Sequence, residues 1–313
     1  MTFSQKVREE LLVLDIEPET AKIELMAAFK AIGTIQIDYS SLMIEIKTSQ
    51  IKLTKRLLEI IKHEYPLAVV QTLVRDMRSF NGTKKSYIIR IAKHAKEILK
   101  DLGLIDSLDF TFILSLNDIS SKLKTQHQKR VYTRMYYCCL GTVNDPKNAQ
   151  QYHLEINGSN ELYLDEIKNI TKKYSINFKL TKRKDRPSLY LNKSEEIADF
   201  LKFIMAVNVL FEFEDYRMVR DMMMVSNRLN NADIANEVKK MKTSSMQIDA
   251  INYLKQRNLI KTFGAKTIKV IELRLKYPED SYQELSKHSE GLLSKSNIRY
   301  HLSLVEKRAR LNK

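Results

Sequence analysis

"AAFKAIGTIQI" at residues 27–37 and "YYCCLGTVNDP" at residues 136–146 have the same build. Each is an apolar run that breaks at a glycine, Gly33 or Gly141, and continues with a threonine into a strand-like segment. Residues 21–32 carry only Lys22, Glu24 and Lys30 as charges, and residues 131–140 carry only Arg134. Helices apolar nearly all round are buried. Ala27, Ala28 and Ala31 on one, and Cys138 and Cys139 on the other, are small enough for close backbone approach. Gly33 and Gly141 would end these helices where a side chain collides or where the chain turns left-handed. Two such helices side by side predict a pseudo-two-fold axis, with the strands of each half forming one arm of a saddle.

The residues around these stretches repeat in the same order. After Gly33, "TIQI" and "SLMIEIK" alternate like strands, and "TSQIKLTKRLLEIIKH" has helical spacing. "LAVVQTLV" and "KSYIIRIA" are strand-like again, joined through Asn81-Gly82, and "KHAKEILKDLGLI" is helical up to Gly103. After Gly141 come a short strand, then "QYHLEIN", and then a helix in "SNELYLDEIKNITKKY" that Ser159 can cap. "INFKLTKR" and "RPSLYLN" follow as strands. "KSEEIADFLKFIMAV" closes the half as a helix, with Ser194 as its expected cap and acids in its first turn. Each half therefore reads α-β-β-α-β-β-α, over about 20–105 and about 128–210.

The composition narrows the partners. The chain has 313 residues and a formal net charge of +15, which points to a polyanion, either nucleic acid or an anionic membrane surface. The two cysteines are adjacent, so they offer neither a disulfide framework nor zinc spacing, and core packing in a reducing compartment fits them. "MTFSQKVREELLVLD" lacks a signal-peptide pattern. The most apolar window, "ADFLKFIMAVNVLF", is too short to span a bilayer. The expectation is a soluble, cytoplasmic protein without a membrane partner. No two of the seven glycines lie within six residues of each other, so there is no phosphate loop or dinucleotide fingerprint. The six histidines show no ligand spacing. No cofactor, metal site, small-molecule substrate or catalytic residue is expected.

The C-terminal segment carries the sharpest binding signal. Pro278 closes one helix, and Ser281 with Glu284 makes a capping box that opens the next. Leu285 would point inward, Glu290-Gly291 would provide a turn, and Ser294 would cap a further helix. On that helix Ile298, Leu302 and Val305 share one face. Lys295, Ser296, Asn297, Arg299, Tyr300 and Ser303 lie largely off it. Arg suits guanine and Asn suits adenine in the major groove. Lys307, Arg308, Arg310 and Lys313 extend the basic stretch toward backbone phosphates. Residues 241–313 hold fifteen Lys and Arg against seven Asp and Glu, a net +8, so just over half the excess charge lies in under a quarter of the chain. Ser281, at the start of the first helix of the pair, joins the candidate DNA contacts. Double-stranded DNA is the expected partner.

Two opening helices of small residues, each ended by glycine and each followed by ββαββα, resemble a monomeric LAGLIDADG homing endonuclease. "GTVNDPKNAQQYHLEI", "SEEIADFL", "SNRLNNADIAN" and "LSKSNIRYHL" together resemble the bacterial WhiA family, which joins a LAGLIDADG-like domain to a C-terminal helix-turn-helix. The resemblance implies an α+β chain of two LAGLIDADG-like repeats over 1–220, a linker at 221–245 hinged at "KTSS", and an all-α helix-turn-helix domain at 246–313. In the endonucleases the residue before each terminal glycine is a metal-binding carboxylate. Here those positions are Ile32 and Leu140, which cannot ligate a hard cation. Asp38 and Asp145 are the nearby acids, but at unequal offsets from their glycines. The resemblance thus implies a non-catalytic DNA-binding regulator of transcription, cell division and chromosome segregation, associated with the nucleoid. A relocated-ligand nuclease or maturase and a protein-binding adaptor are the alternatives. In the endonucleases the saddle holds DNA. Arg75, Arg78, Lys84 and Lys85 in the first repeat, and Lys179, Lys182, Arg183, Lys184 and Arg186 in the second, are either a second DNA contact or a solvated hairpin edge. A protein partner on the saddle is the remaining option.

Overall fold

The computed structural model describes residues 1–38, 41–79, 82–105, 122–183 and 186–312. The chain divides into two compact units, Met1–Val219 and Arg220–Lys313. The first unit opens with a helix outside the repeats, α1(Phe3–Val13). The first repeat is α2(Pro18–Ile32), β1(Gly33–Asp38), β2(Ser41–Thr48), α3(Ile51–Glu64), β3(Val70–Ser79), β4(Gly82–Ile91) and α4(Ala95–Asp101). The second is α5(Gln126–Leu140), β5(Gly141–Val143), β6(Leu154–Asn157), α6(Glu161–Lys172), β7(Lys179–Arg183), β8(Arg186–Leu191) and α7(Ser194–Phe203). The order α-β-β-α-β-β-α occurs twice, as the sequence pattern requires. Each repeat folds one antiparallel sheet, ordered β1-β2-β4-β3 and β5-β6-β8-β7.

Helices α2 and α5 pack directly on each other and share one core. Ala27, Ala28, Ala31, Cys138 and Cys139 are all buried in it. Burial pushes the Cys138 thiol up to about 12, so this sulfur is a packing group. Gly33 and Gly141 end their helices with φ of −83° and −78°, so neither is left-handed. The need for glycine is steric. A Cβ on Gly33 would lie 2.5 Å from the Phe29 ring and 2.6 Å from its carbonyl oxygen. On Gly141 it would lie 2.1 Å from the ring of Tyr137. In both repeats the aromatic residue four positions earlier closes over the glycine. Gly33→Ala is expected to cost about 1–3 kcal/mol through forced repacking, read as a lower urea midpoint. An unchanged midpoint would mean that the helix end yields freely.

Charge is also buried at this centre. Glu24 on α2 is 1% exposed and accepts from Arg56 Nε at 2.6 Å, Arg56 Nη2 at 2.7 Å and Arg134 Nη2 at 3.1 Å. Arg134 comes from α5, so the carboxylate joins the two repeats. A second link runs the other way. Lys30 on α2 reaches Glu166 on α6 at 2.9 Å, and Tyr132 donates to the same carboxylate at 3.0 Å. Burial pushes the Lys30 ammonium below the usual lysine value, against the pull of Glu166. Helix α1 is tied on by Ser4, whose hydroxyl donates to the Val143 carbonyl and accepts from the Val143 N–H.

Three local expectations change. Asn160, one residue beyond Ser159, caps α6 by accepting from Leu162 N–H at 3.0 Å. Ser194 is the first residue of α7, and Lys193 stands at the cap position without a side-chain bond. Residues 221–245, expected as a hinged linker, are helical throughout, within α8(Val207–Gln256). The segment contains no glycine or proline. Ser, Thr and Asn lower helix propensity by less than about 1 kcal/mol each, which does not stop a helix.

In the second unit the end of α8 is followed by a 3-10 turn at Ile260–Thr262 and by α9(Ala265–Lys276), α10(Tyr282–His288) and α11(Lys295–Leu311). Ile251 and Leu254 of α8 share a core with Val270, Ile271, Leu285, Leu293, Ile298, Leu302, Val305 and Ala309. Among the described residues no helix is long and apolar enough to cross a membrane.

Candidate nucleic-acid interface

The α10–turn–α11 segment is set by its caps. Ser281 Oγ accepts from Glu284 N–H at 3.3 Å, while Ser281 N–H donates to the Glu284 carboxylate at 2.6 Å. These bonds, with Lys240 beside the carboxylate, hold Glu284 down at about 2. A depressed value means that the contribution is present above the ordinary Glu range of about 4.3 and is lost as pH falls toward 2. Ser281 is half-buried and occupied as the cap. The turn runs through Glu290 at φ 53° and Gly291 at φ 80°. Ser289 fixes it, accepting from Leu293 N–H at 3.1 Å and donating to Ser286 O at 2.7 Å. Ser294 then caps α11 by accepting from Asn297 N–H at 3.2 Å. Arg274 is buried behind the α9–α10 loop and donates to the Asp280 carbonyl at 2.7 Å. Burial lowers its pKa from the usual arginine value. From α8, Ser244 donates to the Pro278 carbonyl and Gln247 to the Tyr282 hydroxyl.

On α11, Ile298, Leu302, Val305 and Ala309 are buried along one face. At about 100° per residue, Ser296, Tyr300, Ser303, Lys307 and Arg310 gather on the far side, while Arg299 stands about 90° from the centre of the buried face and Lys295 lies at its edge, beside Leu302. Asn297 and Arg308 fall about 160–180° from Arg299, so the helix does not aim the Asn and Arg together. Lys295, Ser296, Asn297, Arg299, Tyr300, Lys307, Arg308 and Arg310 are exposed. Ser303 is half-buried and donates to the Tyr300 carbonyl at 2.8 Å. Among the described residues, none of the five cations Lys295, Arg299, Lys307, Arg308 and Arg310 forms an ion pair. His301 is turned inward, with Nδ1 2.9 Å from the Thr267 hydroxyl, which fastens α11 to α9.

The basic strands of the first unit divide between the two faces of their sheets. In β7, Lys179 and Arg183 alternate with Lys182. Lys182 lies on the α6 side and pairs with Glu161 at 2.7 Å, so it is not on the open face. Lys179 and Arg186 are exposed, while Lys184 and the Arg183 side chain lie outside the described residues. In the first repeat Arg75 and Lys85 are exposed, and the side chains of Arg78 and Lys84 are outside the description.

The strand register adds residues that the motif reading passed over. Thr34 pairs with Glu45 and Glu45 with Arg90, while Thr142 pairs with Glu155 and Glu155 with Tyr190. One glutamate per repeat therefore stands next to the residue that follows each terminal glycine. Glu45 is neutralised by Arg90 Nε at 2.8 Å. Glu155 lies 3.7 Å from His153 Nε2, and that ring stacks on Tyr190. The alternation in "SLMIEIK", with Ile44 and Ile46 inward, was the signal for Glu45. Asp145 accepts from Lys147 N–H and from the Asn148 side chain, a local turn role. Ile32 and Leu140 are half-buried apolar residues packed on the core. Among the described residues no three His, Cys, Asp or Glu side chains are grouped to hold a metal ion.

The fold and the helix pair define a class: two LAGLIDADG-like repeats in one chain with a helix-turn-helix unit. Residues 18–105 match the WhiA N-terminal LAGLIDADG-like domain, 129–223 the WhiA LAGLIDADG-like domain and 226–309 the WhiA C-terminal HTH domain. The chain belongs to the WhiA family. It is 31% identical over 307 residues to the "Probable cell division protein WhiA" of Enterococcus faecalis, covering 97% of this chain and 96% of the relative. It is 30% identical over 309 residues to the protein of that name from Bacillus licheniformis, covering 98% and 95%. The crystal structure of full-length DUF199/WhiA from Thermatoga maritima shares the fold, with a TM-score of 0.58 and 23% identity over 99% of this chain and 98% of that one.

Proposed function

We propose that this chain is a sequence-specific, non-catalytic binder of double-stranded DNA that regulates transcription in support of cell division and chromosome segregation. The reading is carried by α11, whose exposed cations Lys295, Arg299, Lys307, Arg308 and Arg310 stand off its apolar face and form no ion pair among the described residues. An unpaired guanidinium at the start of a helix is available to base edges, and the cations further along are available to phosphates. Lys295, Ser296, Arg299, Tyr300 and Ser303 read the major groove, with Asn297 at its flank. Lys307, Arg308 and Arg310 hold the backbone. Ser281 acts chiefly by fixing α10. The domain limits proposed are 1–220 for the saddle and 246–313 for the helix-turn-helix, with 221–245 as a helical connection. The saddle is a scaffold whose open sheet faces, at Lys179 and Arg186, meet DNA or a protein partner. The cellular role follows the relatives' name as a cell division protein, and a cytoplasmic, nucleoid-associated location follows from the partner.

Aliphatic residues at Ile32 and Leu140 support a non-catalytic reading, because Mg²⁺ takes oxygen ligands. The test is binding of the full chain to duplex fragments of its own genome over a salt series, with plasmid and magnesium as a parallel arm. Lys307→Ala and Arg310→Ala should each lower the salt slope by about 1 and weaken binding to all sequences alike. Plasmid nicking that depends on magnesium would overturn the non-catalytic reading, and salt-independent binding would overturn the phosphate assignment.

A further inference from the structure

Among the described residues, Tyr300 is the one exposed apolar side chain in the first half of α11. It is the sixth of the helix's 17 residues, is 60% exposed, and stands about 170° from the centre of the buried face. Its hydroxyl has no hydrogen-bond partner among the described residues. Its ring lies edge-on to His301, with centroids 5.4 Å apart and planes at 73°. His301 is itself fastened to Thr267 of α9, so the ring rests on a fixed neighbour. Ser296 lies one turn earlier on the same side, about 6 Å along the axis, while Lys307 and Arg310 lie about 10 Å and 15 Å further on. The ring therefore sits where a recognition helix meets base edges, ahead of the cations that meet phosphates.

We propose that Tyr300, within the base reading by α11 on which this rests, selects thymine at one position of the site through contact between its ring and the thymine 5-methyl group. The hydroxyls of Ser296 and Tyr300 can each donate or accept, so in the major groove they pair with any base and choose none. The thymine methyl is the apolar feature of that groove, and the Tyr300 ring is the apolar feature of this part of the helix. A tyrosine side chain has two rotatable bonds, so its contact area comes at little cost in rotamer freedom. What is recognised is the methyl group and not the base that carries it. Cytosine methylated at C5 presents the same group at the same place. Burial of one such group corresponds to about fourfold in affinity.

Uracil scanning tests this on the duplex that the full chain selects from a random pool, with binding followed by fluorescence anisotropy. Deoxyuridine in place of thymine removes the methyl and keeps the hydrogen-bonding edge. At one thymine the exchange should weaken binding about fourfold, and 5-methylcytosine placed there should bind about fourfold better than cytosine. Tyr300→Phe should keep both ratios, and Tyr300→Ala should bring both to about one. The side chain is exposed, so melting temperatures should hold in both variants. A selected duplex without thymine, a scan without a sensitive thymine, or a Tyr300→Ala protein that keeps the ratios overturns the assignment and leaves base reading by α11 in place. So does a Tyr300→Phe protein that loses the ratios as fully as Tyr300→Ala, because the hydroxyl would then be the reader. A chain that selects no duplex removes base reading itself, and the thymine contact with it.

Discussion

Glu24→Gln is expected to lower the stability of the first unit by about 3–5 kcal/mol, the largest effect of any single change at the repeat interface. The carboxylate is almost fully buried, with two guanidinium groups on it, one from α3 and one from α5. Glutamine preserves the size and removes the charge. Arg56 would keep its bonds to the carbonyls of Leu12 and Leu14, but Arg134 would lose the one carboxylate it pairs with among the described residues. Two buried cations would then face each other with no anion between them. The full-length variant should show faster amide exchange in α2 and α5 together, because the network joins the repeats. Replacing Glu24, Arg56 and Arg134 together with Met should recover much of the loss, since an apolar substitute avoids desolvating three charges. A Glu24→Gln protein with unchanged exchange in both helices would show that the network contributes packing only.

Arg299→Ala should weaken binding to the preferred duplex by about 1–3 kcal/mol while leaving sequence-independent binding nearly intact. Arg299 is exposed on the flank of α11, about 90° from the centre of the buried face, and it has no ion-pair partner among the described residues. Its removal therefore costs no fold stability and isolates the contact. Arg299→Lys should not restore the preference, because an ammonium cannot make the two parallel bonds of a guanidinium to a guanine edge. An equal loss on all sequences would reassign Arg299 to the phosphates. That outcome would move the reading of bases to Ser296 and Tyr300, which lie further round toward the outer side of α11.

Much of this fold could be read from local features. Gly33 and Gly141 each close an apolar helix, and Ser281 with Glu284 opens another, all within a few residues of sequence. The physical cause of the glycines was only half legible: the clash is with Phe29 and Tyr137, and the left-handed alternative does not occur. The Glu24 network was not legible, because its partners lie 32 and 110 residues away and nothing in the chain marks them. Residues 221–245 misled because their Asn and Ser content resembles a loop, whereas continuous helix needs only the absence of strong breakers. At the candidate interface the residue types were legible and their directions were less so. Counting off the apolar face grouped Asn297 with Arg299, and helical geometry separates them. Lys182 reads as one of a basic run, and strand alternation turns it to Glu161.

The central claim is that α11 chooses DNA sequence for the whole chain. Selection from a random duplex pool tests it most directly, using the full-length protein and a variant with Ser296, Arg299 and Tyr300 all replaced by Ala. The parent should enrich one motif, and the variant should retain salt-sensitive binding but enrich none. If the variant enriches the same motif as the parent, another surface reads the bases and the assignment of α11 is wrong.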